Sequence, residues 1–321
     1  MATAEPSVEA DPAFRADVLA GLRSDPRAIP ARWLYDLRGS ELFEEITRLP
    51  EYYPTRTERA MLETHAAEFA EEIGPGRAVI EFGSGSSLKT PLLLRAIAPA
   101  AYVPIDISGE FLMDSAQTLS RDFPDLPVFP VEADFTKRVP LPYEVSRLPK
   151  LGFFPGSTIG NFVPFSGVDF LRAMKETLDI GAMLLIGIDR IKGEEELVAA
   201  YNDAAGVTAA FNLNLLERIN RELDGDMPLD AFRHRAIWND RLARIEMHIE
   251  AIRDVAFEVA GDAFTMAEGD TIHTENSHKY GPRDARVLLR AGEWTMRREW
   301  SSPGDRFALI LAEALPPRTA P

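Results

Sequence analysis

A short glycine loop and two aspartates carry the first chemical signal in this chain. Glu81-Phe82-Gly83-Ser84-Gly85-Ser86-Ser87 follows the apolar run AVIEF (78–82) and precedes a helical pattern. Glycines at such a place let the backbone turn tightly and approach a ligand with no Cβ in the way. Asp106 stands 21 residues beyond Gly85 at the end of the next apolar run, where a carboxylate can accept from both hydroxyls of a ribose. Asp134 ends the run after that, placed to accept from an adenine amino group, with Phe135 beside it to pack on the ring.

Two ligands suit Gly83, Gly85 and Asp106: a nicotinamide dinucleotide and S-adenosylmethionine. The dinucleotide pattern asks for Gly or Ala at its third small position, and Leu88 stands there. Glu81, Asp106 and Asp134 make the expected pocket anionic, which favours a sulfonium over a pyrophosphate. A GxG after a strand is often only a tight turn, and either aspartate alone could be a solvated strand end. Their joint placement at matched strand ends argues for a nucleoside site.

The elements that must position these residues follow from the hydrophobic pattern. AVIEF, AYVPID (101–106), PVFPVEAD (127–134), LGFF (151–154) and AMLLIGID (182–189) read as buried strands with helical stretches between them. In one of those stretches Leu171, Met174 and Leu178 share a face, with Ser166 as the expected cap. The alternation implies a doubly wound parallel α/β sheet. From Glu194 to Leu223 the pattern is helical with a break near Gly206. RLARIEMHIEA then alternates strictly, with Ile245, Met247 and Ile249 on one side, as a half-buried antiparallel strand does. VAFEVA and DAFTM are expected to add strands to that same sheet. After Pro282 a helix and a hairpin turning at Ser-Ser-Pro-Gly-Asp close the α/β sheet, an ending that suits a methyltransferase. The expected organisation is a class I, Rossmann-like domain from 57–189 and 281–321, and a smaller α+β lobe from 1–56 and 190–280.

Composition bounds the partners. With 51 acidic against 35 basic residues the formal charge is −16, a surface that repels phosphate backbones and anionic lipid, so neither nucleic acid nor membrane is expected as a partner. The 321 residues include no cysteine, which removes disulfides, thiolate metal ligands and thiol nucleophiles. The five histidines (His65, His234, His248, His273 and His278) form no HExxH arrangement, and no metal is expected. MATAEPSVEADPAFRADVL lacks the basic start and apolar run of a signal peptide, and no stretch reaches the length of a membrane span, so a cytoplasmic protein is expected.

Seven motifs in order carry a specific resemblance: Trp33-Leu34-Tyr35-Asp36, LFEEITRLPEYYPTRTE (42–58), EFGSGSSLKT (81–90), GSTIGNF (156–162), AYNDAAGVTAAFN (200–212), IEMHIEA (245–251) and HTENSHKY (273–280). Over about Pro30 to Leu315 the chain resembles the histidine-specific methyltransferases of ergothioneine biosynthesis. The resemblance implies three methyl transfers from S-adenosylmethionine to the α-amine of L-histidine, giving hercynine, by a monomer. It assigns Gly83, Lys89, Asp106, Asp134 and Phe135 to the cofactor. Tyr52, Asn161, Tyr201, Glu275 and Ser277 fall at histidine-binding positions, Asn276 between the last two contributes through its backbone, and Tyr35 and Met247 line the same pocket. IDIS around Asp106 and the residues around Glu275 depart modestly from relatives, without removing a reactive group.

The residue types agree with that assignment. Asn161 and Tyr201 offer neutral donors to a carboxylate or amine; Glu275 accepts from an imidazole N–H, and Ser277 donates or accepts on its other side. Reading both polar atoms separates imidazole from phenyl. Tyr35 and Tyr52 supply aromatic walls with polar tips and are the candidates for orienting the amine. Taken singly, each has a plainer reading: Tyr52, Tyr53 and Pro54 as the lead-in to a helix starting near Thr55 with Glu58 closing a capping box, Met247 as core, Asn161 as a left-handed turn residue, Glu275 as a surface charge. No His or Lys beside the motifs is an obvious base, so positioning and proton loss to solvent are expected to dominate, with apolar walls including Phe43 making room for successive methyl groups.

Overall fold

The computed structural model describes residues 11–85 and 89–316; Leu88, with Ser86 and Ser87, lies outside them. Along the chain come α1 (Pro12–Arg23), β1 (Arg27–Ala28), α2 (Leu37–Arg48), α3 (Tyr53–Thr64), α4 (Ala66–Ile73), β2 (Ala78–Phe82), α5 (Thr90–Ile97), β3 (Ala101–Asp106), α6 (Gly109–Asp122), β4 (Val131–Glu132), β5 (Lys150–Phe154), α7 (Pro164–Leu178) and β6 (Met183–Asp189). They are followed by α8 (Glu194–Ala199), α9 (Val207–Glu222), β7 (Phe232–Asn239), β8 (Arg244–Ala251), β9 (Val255–Val259), β10 (Asp262–Met266), β11 (Thr271–His278), α10 (Pro282–Ala291), β12 (Thr295–Ser301) and β13 (Phe307–Glu313). The chain forms two compact units. One runs to Glu51 and takes in Glu194–Asn239 and Ile245–Asn276; the other holds Tyr52–Gly193, Asp240–Arg244 and the chain from Ser277 onward. The division falls between Glu51 and Tyr52, between Gly193 and Glu194, on either side of Asp240–Arg244, and inside β11 between Asn276 and Ser277.

The larger unit is a seven-stranded sheet in the order β12-β13-β6-β5-β2-β3-β4, with β2 to β6 parallel and β13 antiparallel to both its neighbours. Its inner strands β2, β3, β5, β6 and β13 are largely apolar because both faces are covered, while the edge strands β4 and β12 are not. Ile80, Val103, Phe154 and Leu184 point into one core with Phe170, Met174 and Leu289, while Val79, Tyr102, Phe153 and Leu185 point into the other with Leu62, Phe69 and Leu94. Each such side chain stabilises the fold by about 1.5–3 kcal/mol. β2 starts mid-sheet; the chain builds outward through β3 and β4, then returns to the other side of β2 with β5 and β6. The crevice outside the carboxyl ends of strands at such a reversal is where open α/β sheets bind ligands. The glycine loop leaves β2 there.

The smaller unit contributes a four-stranded sheet, β1-β11-β8-β7, in which β1 runs parallel to β11. Three expectations change. β9 and β10 form their own two-stranded sheet rather than joining the larger one, because Ala260 (φ 52°) and Gly261 (φ 85°) make the tight left-handed turn that favours a self-contained hairpin. β8 is covered on both faces: Glu246 and Glu250 are buried, Glu246 accepting from Asn239 Nδ2 at 2.9 Å and Glu250 from Arg233 at 2.8 Å. PVFPVEAD yields only the two residues of β4, since Pro127 and Pro130 have no N–H for a ladder.

Two helix starts also differ. α7 begins at Pro164 behind Val163, so Ser166 lies inside its first turn rather than at the cap, although Leu171, Met174 and Leu178 are buried as their spacing requires. α3 begins at Tyr53 with Pro54 in its first turn, and no side chain caps it. Among the described residues no helix is long and apolar enough to cross a membrane.

Candidate active site

Gly83 (φ 70°) and Gly85 (φ 48°) turn the loop after β2 through backbone conformations that side chains rarely adopt. The loop is tied to the neighbouring strand: Gly83 and Ser84 donate their N–H groups to the Ile105 carbonyl at 2.8 and 3.2 Å. Asp106 completes the tie, Oδ2 accepting from Gly85 N and Oδ1 from Ser108 N, both at 3.0 Å. Each carboxylate oxygen keeps a second lone pair, so the same group that braces the loop can accept from a ribose. A Cβ on Gly83 would meet the Phe135 ring at 3.2 Å, so the glycine is required by close approach as well as by φ. Phe135 in turn packs on Phe170 with ring centroids 5.7 Å apart. Gly83, Asp106 and Phe135 are thereby gathered at the ends of adjacent strands, an arrangement that fits an adenosyl group.

Asp134 is engaged locally. Its Oδ1 accepts from Thr136 N at 3.0 Å and Thr136 Oγ1 at 2.5 Å, and Lys137 Nζ lies 3.4 Å from Oδ2. Burial pushes its carboxyl up, but the Thr136 bonds and the Lys137 charge outweigh that and hold it below the ordinary carboxylate range. Oδ2 is the oxygen less committed to the chain.

Lys89 extends the site through a residue whose sequence reading was wrong. Glu58 closes no capping box; it is fully buried, paired with Lys89 Nζ at 2.5 Å and accepting from Gly156 N at 2.8 Å. A Cβ on Gly187 would sit 2.2 Å from its Oε1, so that glycine keeps β6 clear for it. Glu58 thus joins α3 to the turns after β2 and β5. Glu81, expected to add charge to the pocket, instead accepts from Thr90 Oγ1 at 2.7 Å and Tyr102 OH at 2.5 Å and is buried beneath the loop. Burial pushes its pKa from 4.5 to about 7 despite those bonds, so it is no fixed anion at neutral pH.

Three of the residues assigned to histidine stand in the same unit, on segments that meet at one carboxylate. Asp189 ends β6 with no exposure. Its Oδ2 accepts from Tyr53 OH at 2.6 Å and pairs with Lys279 Nζ at 2.8 Å, while Oδ1 pairs with Lys192 Nζ at 2.6 Å. Its own N–H donates to Ser157 Oγ at 2.9 Å, and its carbonyl accepts from Tyr280 N at 3.0 Å. Tyr53 adjoins Tyr52; Ser157 leads the 3₁₀ turn Thr158–Asn161; Lys279 lies two residues past Ser277 and donates to Ser277 Oγ at 2.8 Å. Burial pushes the Asp189 carboxyl up, but Lys279 and Lys192 reverse this and hold it below the ordinary range. The left-handed residue of the turn is Ser157 (φ 56°), not Asn161. Gly160 packs against the backbone of His278, where a Cβ would come within 2.7 Å of the carbonyl oxygen.

The remaining candidates belong to the other unit. Tyr201, Met247 and Glu275 are buried, so Glu275 is not a surface charge. An amide links their segments: Asn212 Nδ2 donates to His234 Nδ1 at 2.9 Å and to the His248 carbonyl at 3.0 Å, and its Oδ1 lies 2.6 Å from Thr274 Oγ1. His234 Nε2 then donates to the Tyr201 carbonyl at 2.8 Å, and Thr274 Oγ1 is 3.1 Å from that of Met247. Burial lowers the His234 pKa against the pull of the Tyr201 carbonyl, which suits the neutral ring these bonds require. Exposure along β11 breaks phase at Thr274–Glu275, leaving Glu275 and Ser277 buried with Asn276 half-exposed between them. Tyr35 forms an aromatic trio with Phe43 and Phe211, at centroid distances of 5.6 and 5.3 Å, and Asp36 beside it accepts from Gly39 N and Asn214 Nδ2, both at 2.8 Å. The spacing of the histidines gave no sign that the ligand atoms of Glu246, His248 and His273 fall within 4.8 Å of one another; the two rings stack at 4.7 Å.

Sequence reasoning missed Glu58, Asp189, Lys192, Lys279, Asn212 and His234. The signal available was polar residues inside otherwise apolar strand and helix patterns, as at Asp189 ending AMLLIGID.

A parallel sheet closed by an antiparallel hairpin, with a glycine loop after its first strand, a carboxylate at the end of β3 and another just beyond β4, defines a class I methyltransferase. The model of the family described as "Histidine-specific methyltransferase, SAM-dependent" matches residues 14–314, and the chain belongs to that family. It is 40% identical over 309 residues to the histidine N-alpha-methyltransferase of Mycolicibacterium smegmatis, covering 94% of each chain, and 38% identical to that of Mycobacterium tuberculosis, again covering 94% of each. It is 31% identical to the ergothioneine biosynthesis protein 1 of Neurospora crassa, covering 90% of this chain and 33% of that one.

Glu81 makes stability depend on pH. With its folded pKa near 7 and an ordinary value of 4.5, the folded state holds a proton that the unfolded state has released between those limits, so stability falls as pH rises through that window and levels above it. Glu81→Gln removes this slope. In urea titrations from pH 4.5 to 8 the variant should gain about 3 kcal/mol relative to wild type, from 1.36 kcal/mol per pKa unit; parallel profiles would show that Glu81 is ionised throughout.

Proposed function

We propose that this enzyme transfers three methyl groups from S-adenosylmethionine to the α-amino nitrogen of L-histidine, giving hercynine on the route to ergothioneine. The observation that carries the choice of nitrogen is the near full-length similarity to two mycobacterial enzymes named for it; the name of the Neurospora relative supports the route. The reading places the enzyme in the cytoplasm as a monomer acting on a free amino acid, with no nucleic-acid or membrane partner.

S-adenosylmethionine supplies a methyl group on a sulfonium, and each transfer forms an N–C bond as the S–C bond breaks. The chain's part is to hold and aim. Asp106 accepts from the ribose hydroxyls, Gly83 and Phe135 frame the adenosine, Asp134 accepts from the adenine amine through Oδ2, and Lys89, held by Glu58, faces the carboxylate of the methionine portion. On the histidine side Asn161 and Tyr201 hold the amino-acid end, Tyr52 and Tyr35 orient the amine, and Met247 lines the wall. Glu275 accepts from a ring N–H while Ser277 meets the other nitrogen, with Asn276 contributing backbone. The unit containing Tyr201, Met247 and Glu275 is the histidine-binding lobe of this scheme.

An ammonium has no lone pair, so each transfer replaces one N–H by N–CH₃ and releases one proton. α-Amines of peptides titrate at about 7.7–8.0, and phenols near 10 are poor bases, so proton loss to solvent with strict positioning suffices. The decisive experiment is NMR of the product formed from histidine and excess S-adenosylmethionine. A single nine-proton methyl signal correlated to the α-carbon is expected; methyl signals correlated to a ring nitrogen contradict the reading.

Glu275 and Asn161 should separate in a competition between histidine and phenylalanine. Glu275→Ala lowers kcat/KM for histidine by roughly 10²-fold, the loss of a charge-assisted bond, and narrows histidine's advantage. Asn161→Ala lowers both substrates alike, because it reads the end they share. An equal loss for both substrates in Glu275→Ala would assign Glu275 to structure or to the amine.

A further inference from the structure

α3 buries Thr55, Glu58, Met61 and Leu62 along one stripe, and the charged member of that stripe is the most deeply buried. A carboxylate at such a place needs cations and donors to replace water. Lys89 Nζ lies 2.5 Å from Glu58 Oε2, and Gly156 N donates to Oε2 at 2.8 Å and to Oε1 at 3.1 Å. Behind it stands Gly187 of β6, where a Cβ would come within 2.2 Å of Oε1. The carboxylate therefore has little room to follow Lys89 unless α3 moves with it.

The two partners of Glu58 serve different ligands when Lys89 is assigned to the cofactor and Tyr52 and Asn161 to histidine, as proposed above. Lys89 stands at the end of the glycine loop, just ahead of α5, with a side chain 15% exposed. The buried end of the ion pair is thus Glu58, and the end open to a ligand is Lys89. Gly156 (φ 81°) sets the turn that runs through Ser157 into the 3₁₀ segment Thr158–Asn161. Glu58 itself rides on the helix that Tyr52 leads, about 9 Å along its axis at about 1.5 Å per residue. Asp189 braces the same two segments through Tyr53 and Ser157. What Glu58 adds is a bond to a cofactor residue.

We infer that Glu58 is a positioning residue that couples the two ligands: a cofactor carboxylate that fixes Lys89 also fixes Glu58, and with it the start of α3 at Tyr52 and the turn that carries Asn161. Histidine held by Tyr52 and Asn161 acts on Lys89 through the same bridge in reverse, so each ligand tightens the other by the same factor. Whichever binds first orders the bridge, and the second meets a site already ordered. This goes beyond the contacts assigned above, because Glu58 touches neither ligand.

The test is calorimetry on the full chain with S-adenosylhomocysteine and with 5′-methylthioadenosine, which lacks the amino-acid portion that Lys89 is to meet. In the wild type, saturating histidine should tighten S-adenosylhomocysteine about tenfold and methylthioadenosine less than about twofold, where coupled sites typically show roughly 5–150-fold. Equal tightening of the two nucleosides, or none, would overturn the inference before any variant is made. Glu58→Gln keeps the shape but sets an NH₂ among the donors of Lys89 and Gly156, and should bring the tenfold factor below about twofold. Gly187→Ala retains both charged groups while crowding Oε1, and should lower the factor as well. Weaker binding of both ligands with the factor preserved would make Glu58 merely structural. Lys89→Met separates the inference from the assignment beneath it: it should weaken S-adenosylhomocysteine and spare methylthioadenosine. An equal effect on both nucleosides would remove Lys89 from the cofactor carboxylate, and the inference with it. With Lys89 so placed, an unchanged factor in Glu58→Gln overturns the coupling alone.

Discussion

A carboxylate buried in protein keeps its charge only where cations and donors replace the water it has lost, and meeting that requirement constrains every segment that supplies them. Asp189 imposes this constraint on the sheet unit. It draws Tyr53 from the start of α3, Lys192 from the chain after β6 and Lys279 from beyond β11, and its backbone bonds to Ser157 and Tyr280. Tyr52, Asn161 and Ser277 ride on three of these segments. A buried ion cluster of this kind contributes little net stability against a well-packed apolar alternative, while removal of one partner leaves an uncompensated charge. Its value here is geometric, since it sets the positions of residues far apart in sequence with side chains that cannot move independently.

The other unit solves the same problem without charge. Asn212 offers both donor and acceptor, and through His234 and Thr274 it reaches the backbone at Tyr201 and at Met247, on the strand beside the one that carries Glu275. Neutral bonds suffice there because what is being held is backbone rather than an ion. At the nucleoside site the brace is again a carboxylate, Asp106, which holds two loop amides and retains lone pairs for a ligand. In each case the group that organises the segment is separate from, or has capacity beyond, the group assigned to the substrate.

Much of this architecture was legible before any coordinates. AVIEF and AYVPID end where their apolar runs end, because a strand covered on both faces must be apolar along its length. The break at Gly206 (φ 76°) falls where the helical pattern pauses. The positions of the glycine loop and Asp106 could be read because each follows or ends an apolar strand run. Glu58 could not be. Its sequence neighbourhood matches a capping box, and only tertiary structure shows it buried against Lys89 and Gly156, residues 31 and 98 positions away. Asp189 and Lys279 were only half legible for the same reason: a polar residue at the end of an apolar run such as AMLLIGID is a signal, but nothing local distinguishes a solvated strand end from a buried hub. VAFEVA and DAFTM have the period of strands, but period alone does not say which strand pairs with which, and the Ala260–Gly261 turn decided in favour of a separate hairpin.

The central claim is that this chain recognises histidine through the ring-reading residues of β11 and delivers its α-nitrogen for methylation. The most direct test is a crystal structure of the protein with histidine and S-adenosylhomocysteine. The account predicts the two ring nitrogens within hydrogen-bond distance of Glu275 and Ser277 Oγ, Lys279 still bridging Ser277 and Asp189, and the α-nitrogen facing the sulfur. A histidine bound with its ring turned toward the sulfur, or with Glu275 and Ser277 out of reach of the imidazole, would contradict it.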